Sequence, residues 1–360
     1  MTNAKDFFTI ASKIVKNNPV LTILENVQMK EGRLIVTDLE TSLIFNADWI
    51  DSAIDARIDF KTLKAIYTKV PAKKKDTFEV KPGNVIDTVN IHIEGRHLFT
   101  LPSNAPAADF PVFDRVENTG SNWFEFTQNS DLKQLAKVYC SKDDLRPAMQ
   151  GIYFDGIHER IEGDAYSRSN DKPVMIATDA HRMKWIDLEN TFTGHFILPA
   201  KCALLMPDKA CTVVIGENNT EWIFDNCVIL SRSIDAVYPD YTSVIPSKFT
   251  TYAEVRRAEL IESLQYALIA ANQTTNQVKM CLNTGIVLSS NDIDFDNAYE
   301  SRLLTGSYTG SEVVIGFNGA FLLDTAKEIN TDIVSIELCG DNKAALFNGN
   351  TIVMPVMLNA

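Results

Sequence analysis

Three segments set far apart in the chain share one pattern, apolar residues recurring at helical spacing along an otherwise polar stretch. Asp6–Val15 carries Phe7, Ile10, Ala11 and Ile14; Ser130–Tyr139 carries Leu132, Leu135, Ala136 and Tyr139; Arg257–Ala271 carries Leu260, Ile261, Leu264 and Leu268. Each predicts an amphipathic helix. A second set of helices is predicted at Lys61–Lys69, Ala200–Met206 and Gly319–Ile329. Each follows a short apolar strand: Ile58-Asp59-Phe60, Phe196-Ile197-Leu198 and Val313–Phe317. Pro199 and Asn318 stand where two of these helices begin, positions that suit a fixed φ and a side-chain cap. Alternating segments predict strands at Arg33–Thr37, Ser42–Phe45, Asn90–Glu94, Gly151–Phe154, Thr212–Ile215, Val228–Ser231, Lys279–Leu282 and Ser335–Leu338.

The order helix, strands, strand-turn-helix, strands therefore occurs three times. Its period is on the order of 120 residues, the length of a domain and not of a solenoid repeat. Polar, turn-rich stretches at Asn118-Thr119-Gly120 and Pro246-Ser247-Lys248 divide the chain into 1–120, 121–247 and 248–360. The three parts end in related Pro-containing segments: Ala107-Ala108-Asp109-Phe110-Pro111, Tyr238-Pro239-Asp240-Tyr241 and Val353-Met354-Pro355-Val356. The predicted class is α+β, three copies of one unit with two helices packed on antiparallel sheet in each.

Composition narrows the function classes. No apolar run approaches the roughly 20 residues that cross a bilayer, and the start of the chain shows no secretion signal, so a cytoplasmic protein without membrane contact is expected. The cysteines are scattered, with neither C-x-x-C nor zinc spacing, and predict small buried hydrophobes. His92, His97, His158, His181 and His195 stand apart from Cys and carboxylates at ligand spacing, so no metal or other cofactor is expected. Asn291–Asp296 has the alternating acids that open a calcium loop. It has Asn297 in place of the turn glycine and Leu303 in place of the closing glutamate, so a solvated hairpin is predicted. P-loop, G-x-G-x-x-G and H-E-x-x-H motifs are absent.

The net charge of −13 argues against a protein that grips nucleic acid over its whole surface. It leaves room for one that surrounds a duplex with positive charge confined to the inner face. The basic residues do fall on the predicted helices: Lys13 and Lys16 on the first, Lys61 and Lys64 on the second, Lys133 and Lys137 on the third. Lys201 opens the fourth, Arg256 and Arg257 the fifth, and Lys327 lies in the sixth. Facing a channel, these would meet phosphate without reading bases.

Two segments remain. Thr178-Asp179-Ala180-His181-Arg182 sets His and Asp two apart but has no nucleophile with an orienting partner, so a structural turn after the strand Pro173–Ala177 is predicted. The tail, Thr351–Ala360, is apolar and methionine-rich where chain ends are usually polar. It either docks in the core or lines an adaptable binding groove.

Together these segments resemble the bacterial β sliding clamp family, the processivity subunits of replicative DNA polymerases. Pro19–Leu24 and Val36-Thr37-Asp38-Leu39-Glu40 are similar to that family's first domain, and Ala107–Pro111 to its A-A-D-F-P. Ala177–Met183 resembles A-T-D-G-H-R-L, and Asp235–Pro246 resembles D-G-x-F-P-D-Y-x-x-V-x-P. Gly316-Phe317-Asn318 with Phe321–Asp324 resembles G-F-N-x-x-Y-L-x-D, and the tail resembles M-P-M-R-L. The resemblance implies a non-enzymatic ring: a homodimer closed head to tail around double-stranded DNA, binding a DNA polymerase and a clamp loader ATPase.

Carried over by motif, a partner-peptide pocket is implied at Met149, Thr178, Ala180, His181, Arg182, Met183, Pro239, Val244, Asn318, Phe321, Met354, Pro355, Val356, Met357 and Leu358. Arg146 is implied as a phosphate contact where the family often has aromatics, and Phe99, Leu101, Ile269 and Ala270 as dimer contacts. Ala180 replaces the family glycine, Ser243 and Met357 replace arginines, and Asn359 and Ala360 extend the tail. The competing readings are an acidic multi-domain enzyme and a clamp-like assembly module without a DNA role.

Overall fold

The structure, a computed structural model, describes residues 3–103, 110–111, 115–116, 122–157, 172–292 and 295–358. Ala107-Ala108-Asp109, the boundary at Asn118-Thr119-Gly120, His158, and Asn359 and Ala360 lie outside the described residues.

Among the described residues, six passages of a helix followed by three strands follow one another. The first is α1 (Ala4–Ile14), β1 (Asn26–Lys30), β2 (Arg33–Thr37) and β3 (Thr41–Asn46). From the second onward a lead strand precedes the helix: β4 (Asp55–Asp59), α2 (Phe60–Lys69), β5 (Phe78–Pro82), β6 (Thr88–Ile93) and β7 (Arg96–Pro102). The third is β8 (Trp123–Phe126), α3 (Asn129–Val138), β9 (Gly151–Asp155), β10 (Val174–Thr178) and β11 (Arg182–Asp187). The fourth is β12 (His195–Pro199), α4 (Ala200–Ala203), β13 (Cys211–Ile215), β14 (Asn219–Ile223) and β15 (Cys227–Arg232). The fifth is β16 (Thr251–Arg256), α5 (Arg257–Ala270), β17 (Gln277–Leu282), β18 (Ile286–Asp292) and β19 (Asn297–Glu300), with β20 (Gly306–Gly310) appended. The sixth is β21 (Val313–Asn318), α6 (Gly319–Glu328), β22 (Ile333–Leu338), β23 (Ala345–Phe347), β24 (Thr351–Val353) and the tail strand β25 (Pro355–Val356).

Lead strands are exchanged between successive passages. β4 pairs with β1 of the first; β8 pairs with β13 and β12 with β9; β16 pairs with β22 and β21 with β17. The passages thus couple two by two, which is the threefold repetition expected from the sequence.

Two compact units form. One holds Met1–Asn129 and Lys201–Ile234, the other Ser130–Ala200 and Asp235–Ala360. In the first, an eight-stranded sheet has the order β4-β1-β2-β3-β15-β14-β13-β8, and a separate sheet the order β5-β6-β7. Its core is aromatic: Phe7 and Phe8 of α1 meet Phe45, Trp49 and Phe60, and Phe8 stacks on Tyr67 at 4.4 Å between ring centroids. In the second unit, a nine-stranded sheet has the order β12-β9-β10-β11-β24-β23-β22-β16-β20, and a five-stranded sheet the order β19-β18-β17-β21-β25. Leu260 and Leu264 of α5 and Leu322 of α6 share a core with Met280, Ile315, Phe317 and Phe347.

Most predicted helices stand within two residues of their expected ends. Ala200–Met206 does not: the helix stops at Ala203, so the fourth passage carries only one turn. Leu205 and Met206 donate backward by three residues, to Cys202 and Ala203, and Pro207 cannot continue the ladder. Lys16 lies beyond the end of α1 at Ile14, so the first helix carries only Lys13 of the expected pair. The hairpin expected at Asn291–Asp296 forms between β18 and β19, with Asp292 opposite Asn297, but Asp292 is buried and accepts from Asn272, so that end is not solvated. Four of the cysteines are buried, and burial pushes the Cys140 thiol up to about 12 and that of Cys202 up to about 11. Among the described residues no helix is long and apolar enough to cross a membrane, and no cluster of His, Cys, Asp and Glu could hold a metal ion.

Candidate functional site

The Thr178–Arg182 segment is the turn between β10 and β11, and its side chains build it. Thr178 Oγ1 accepts from the Ala180 amide at 3.1 Å and donates to the Arg182 carbonyl at 2.8 Å. Asp179 Oδ1 accepts from the amides of His181 and Arg182 at 3.0 and 2.9 Å. Between these anchors Ala180 is forced to φ +73°.

The same turn occurs once more, in the other unit, between β2 and β3. Thr37 Oγ1 accepts from Leu39, Asp38 Oδ1 accepts from Glu40 and Thr41, and Leu39 also stands at φ +73°. Each turn receives a neighbouring strand: Arg232 N donates to the Glu40 carbonyl at 2.9 Å, and Met354 N to the His181 carbonyl at 2.8 Å. The T-D-x-x motif is therefore first a device for joining sheets, at β3·β15 in one unit and β11·β24 in the other.

The two turns differ in what occupies the free carboxylate oxygen. Asp38 Oδ2 faces Lys16 at 3.6 Å and Lys201 at 3.4 Å, two flexible point charges. Asp179 Oδ2 takes Nε of Arg182 at 3.0 Å, and the same guanidinium gives NH1 to Asp324 Oδ2 of α6, also at 3.0 Å. Arg182 is only 8% exposed, so this is a buried cation held by two carboxylates. It lies 4.6 Å from the centroid of Phe321 and 5.6 Å from that of Tyr139. The His181 ring stacks on Phe321 with centroids 5.5 Å apart at 25°.

The tail forms the other side. After Met354 it turns to pair as β25 with β21, Phe317 opposite Pro355 and Gly316 opposite Val356. Gly316 is required there, because a Cβ would lie 2.6 Å from the Val356 carbonyl oxygen. Gln277 donates to the Met357 carbonyl at 2.6 Å, and Asn318 caps α6 by accepting from Ala320 and Phe321. Met354 and Met357 remain exposed, the latter 91%.

Of the implied pocket residues, the structure brings together Thr178, Ala180, His181, Arg182, Asn318, Phe321 and Met354, with Pro355–Leu358 alongside. Met183 is buried, opposite Ile352 in the β11·β24 pairing. Pro239 follows Tyr238, which stacks on Tyr153 at 4.7 Å, Val244 is exposed, and the Met149 amide donates to the Arg146 carbonyl. Sequence reasoning passed over Asp324 and Tyr139. The spacing of Asp324 from Phe321, one helical turn, was the available signal for the first; Tyr139 was legible only as a core residue.

The other implied residues divide by element. Lys13 donates to the Leu204 carbonyl at 3.3 Å, so Lys13, Lys16 and Lys201 gather where α1 ends and α4 begins. Lys61 and Lys64 lie exposed on α2, Lys137 on α3 and Lys327 on α6, Lys133 is half-buried on α3, and Arg146 pairs with Asp143 at 3.6 Å. Phe99 and Leu101 lie on the edge strand β7; Ile269, 74% exposed, and Ala270 end α5.

A residue with a side chain at φ +73° costs about 1–2 kcal/mol, and part of that is returned because Gly is freer in the unfolded chain. Ala180→Gly is therefore expected to stabilise the protein by up to about 1 kcal/mol, read as a higher urea midpoint. A lowered midpoint would mean that the Ala180 methyl makes contacts worth more than its backbone strain.

The family model for the DNA polymerase III beta subunit, C-terminal domain, matches residues 242–354. Two beta sliding clamps match nearly end to end. That of Pseudomonas aeruginosa is 26% identical, covering 97% of this chain and 96% of its own length, and that of Vibrio cholerae is 26% identical, covering 94% and 93%. The chain is therefore similar to beta sliding clamps over nearly its whole length, and its last third matches the C-terminal domain of the DNA polymerase III beta subunit. The fold of such clamps recurs here throughout. The Thermotoga maritima DNA polymerase III beta subunit superposes with a TM-score of 0.80 at 23% identity, covering 99% of this chain and 97% of that one. The Pseudomonas aeruginosa clamp bound to griselimycin gives 0.81 at 22%, covering 99% and 98%.

Proposed function

We propose that two copies of this chain close head to tail into a ring around double-stranded DNA, slide along it, and tether a DNA polymerase and other partners through short peptides. One observation carries the reading. The last strands of the six passages are β3, β7, β11, β15, β19 and β24, and four of them pair off as β3·β15 and β11·β24. β7 and β19 are left as sheet edges. In a head-to-tail dimer they supply the missing junctions, β7 of each copy against β19 of the other.

The surfaces beside those edges support this. A groove of about 600 Å³ between α2 and β7 is lined by Ile66, Val70, Ile93, Leu98 and Phe99 and rimmed by Lys69 and Arg96, with Lys74 and Glu94 paired at 3.0 Å beside them. Beside β19, Tyr266 and Ile269 of α5 are exposed, flanked by the exposed acids Glu262 and Glu300. Apolar meets apolar and base meets acid, so the groove's occupant is the α5 end of a second copy.

In the ring, Lys13, Lys16, Lys61, Lys64, Lys133, Lys137, Arg146, Lys201 and Lys327 would face the duplex, meeting phosphates without base readout. The groove between His181, Phe321 and the tail would take the apolar anchors of partner peptides, the clamp loader ATPase among them. Relatives from Pseudomonas aeruginosa and Bartonella birtlesii have been crystallised with griselimycin, a peptide ligand. The setting is the cytoplasm, where the DNA is.

The test combines oligomeric state with topology of retention. Light scattering at micromolar concentration should give a dimer. Loaded by a clamp loader with ATP, the protein should stay on nicked circular plasmid and leave once the plasmid is cut. A monomer, or equal retention on both forms, overturns the proposal.

A further inference from the structure

We propose that Asp324 is a positioning residue: acting through Arg182, it sets the aromatic floor of the groove and so the groove's affinity for a peptide. This rests on the groove being the partner site proposed above. Asp324 does not belong to the turn that carries His181 and Arg182. It reaches them from α6, one helical turn beyond Phe321.

Consider what holds Phe321. Its amide donates to the Asn318 cap, which fixes the backbone of the first turn but not the ring. The ring, half-buried, packs on one side against the core beneath α6 and on the groove side meets two groups, the stacked imidazole of His181 and the guanidinium of Arg182. His181 is itself exposed on the turn. The core contact sets where the ring lies, and on the groove side its orientation depends on the Arg182 plane.

That plane is fixed from two sides. Asp179 takes Nε and Asp324 takes NH1, both at 3.0 Å. With Asp179 alone, the guanidinium keeps one anchor and can swing about it. With both, its orientation is set from two separate elements, the β10–β11 turn and α6. The counterpart turn in the other unit lacks this arrangement, since its Asp38 holds the lysines Lys16 and Lys201, whose ammonium groups define no plane.

The site and the fold depend on Asp324 to different degrees. Its side chain is 48% exposed, and half-exposed ion pairs contribute little to stability. Arg182 keeps its Asp179 partner when Asp324 is changed, so no cation is stranded in the interior. Loss of Asp324 should be felt in ligand affinity and scarcely in unfolding.

The experiment uses the full chain and griselimycin as the probe, with dissociation constants from calorimetry and urea midpoints alongside. Asp324→Asn should weaken binding about tenfold with the midpoint nearly unchanged, and Asp324→Glu should recover most of the loss. In a Phe321→Leu background, Asp324→Asn should add less than a twofold loss, because the ring it positions is gone. Wild-type affinity in Asp324→Asn overturns the assignment. So does a full tenfold loss on top of Phe321→Leu, which would mean that the carboxylate meets the ligand directly. Failure of the wild-type chain to bind griselimycin overturns the partner site itself, whereas tight wild-type binding with an indifferent Asp324→Asn overturns only the positioning role.

Discussion

Ile269→Asp is expected to leave the chain monomeric and unable to stay on circular DNA, with its folding intact. Ile269 is 74% exposed at the end of α5, so the substitution removes no core contact. In the proposed dimer the same side chain enters the groove lined by Ile66, Val70, Leu98 and Phe99 of the second copy. Burying an isoleucine there is worth about 1.5–3 kcal/mol, and an unpaired carboxylate in its place costs several more. Each of the two interfaces holds one such contact, Ile269 of one copy in the groove of the other. At about 1.4 kcal/mol per tenfold, every interface weakens by at least about a thousandfold. Sedimentation at micromolar concentration should show the monomer, and urea unfolding should match the wild type. The griselimycin affinity should also be unchanged, because the groove at His181 lies wholly within one chain. A dimer that survives Ile269→Asp would place the second-copy contact elsewhere than α5.

Why the dimer surface was hard to read from the sequence is clear from α5 itself. Leu260, Leu264 and Ala267 face the core, but Tyr266 and Ile269 are apolar on the solvent side, so the helix is apolar most of the way round. Periodicity found the helix and could not say which apolar residues were surplus to the core. The strands of the edges were similarly faint. β7 reads Arg96-His97-Leu98-Phe99-Thr100-Leu101-Pro102, without the alternation that a half-buried strand shows, because nearly all of it is exposed. The central strands were legible because one face of each is buried: Arg33–Thr37 was placed to the residue. The turn at Thr178–Arg182 was read as a turn and proved to be one, yet its chemistry came from a residue far along the chain. Only folding brings Asp324 to Arg182, and no local pattern announces a contact across 142 positions. The short α4 failed for a local reason, a proline at 207 that the apolar spacing of Ala200–Met206 concealed.

Ending the chain after Val353 should do the reverse of Ile269→Asp: keep the dimer and abolish the peptide groove. Ile352 and Val353 stay in the core, and β24 keeps its pairing with β11 and β23, so the nine-stranded sheet is preserved. What goes is Met354, whose amide donates to the His181 carbonyl, and β25, which lies along Gly316 and Phe317. The groove loses one of its two sides. Two apolar side chains in contact with a ligand are worth about 1.5–3 kcal/mol each, so griselimycin affinity should fall by two or more powers of ten. The His181–Phe321 stack and the Arg182 ion pairs remain, and they bound only an open face. If the shortened chain binds griselimycin as the full one does, the tail is a strand that closes the β21 edge and nothing more. If affinity falls as expected while the dimer persists, then ring closure and partner capture are carried by separate surfaces of one chain. Ile269→Asp and the shortened chain would then divide the two functions between them.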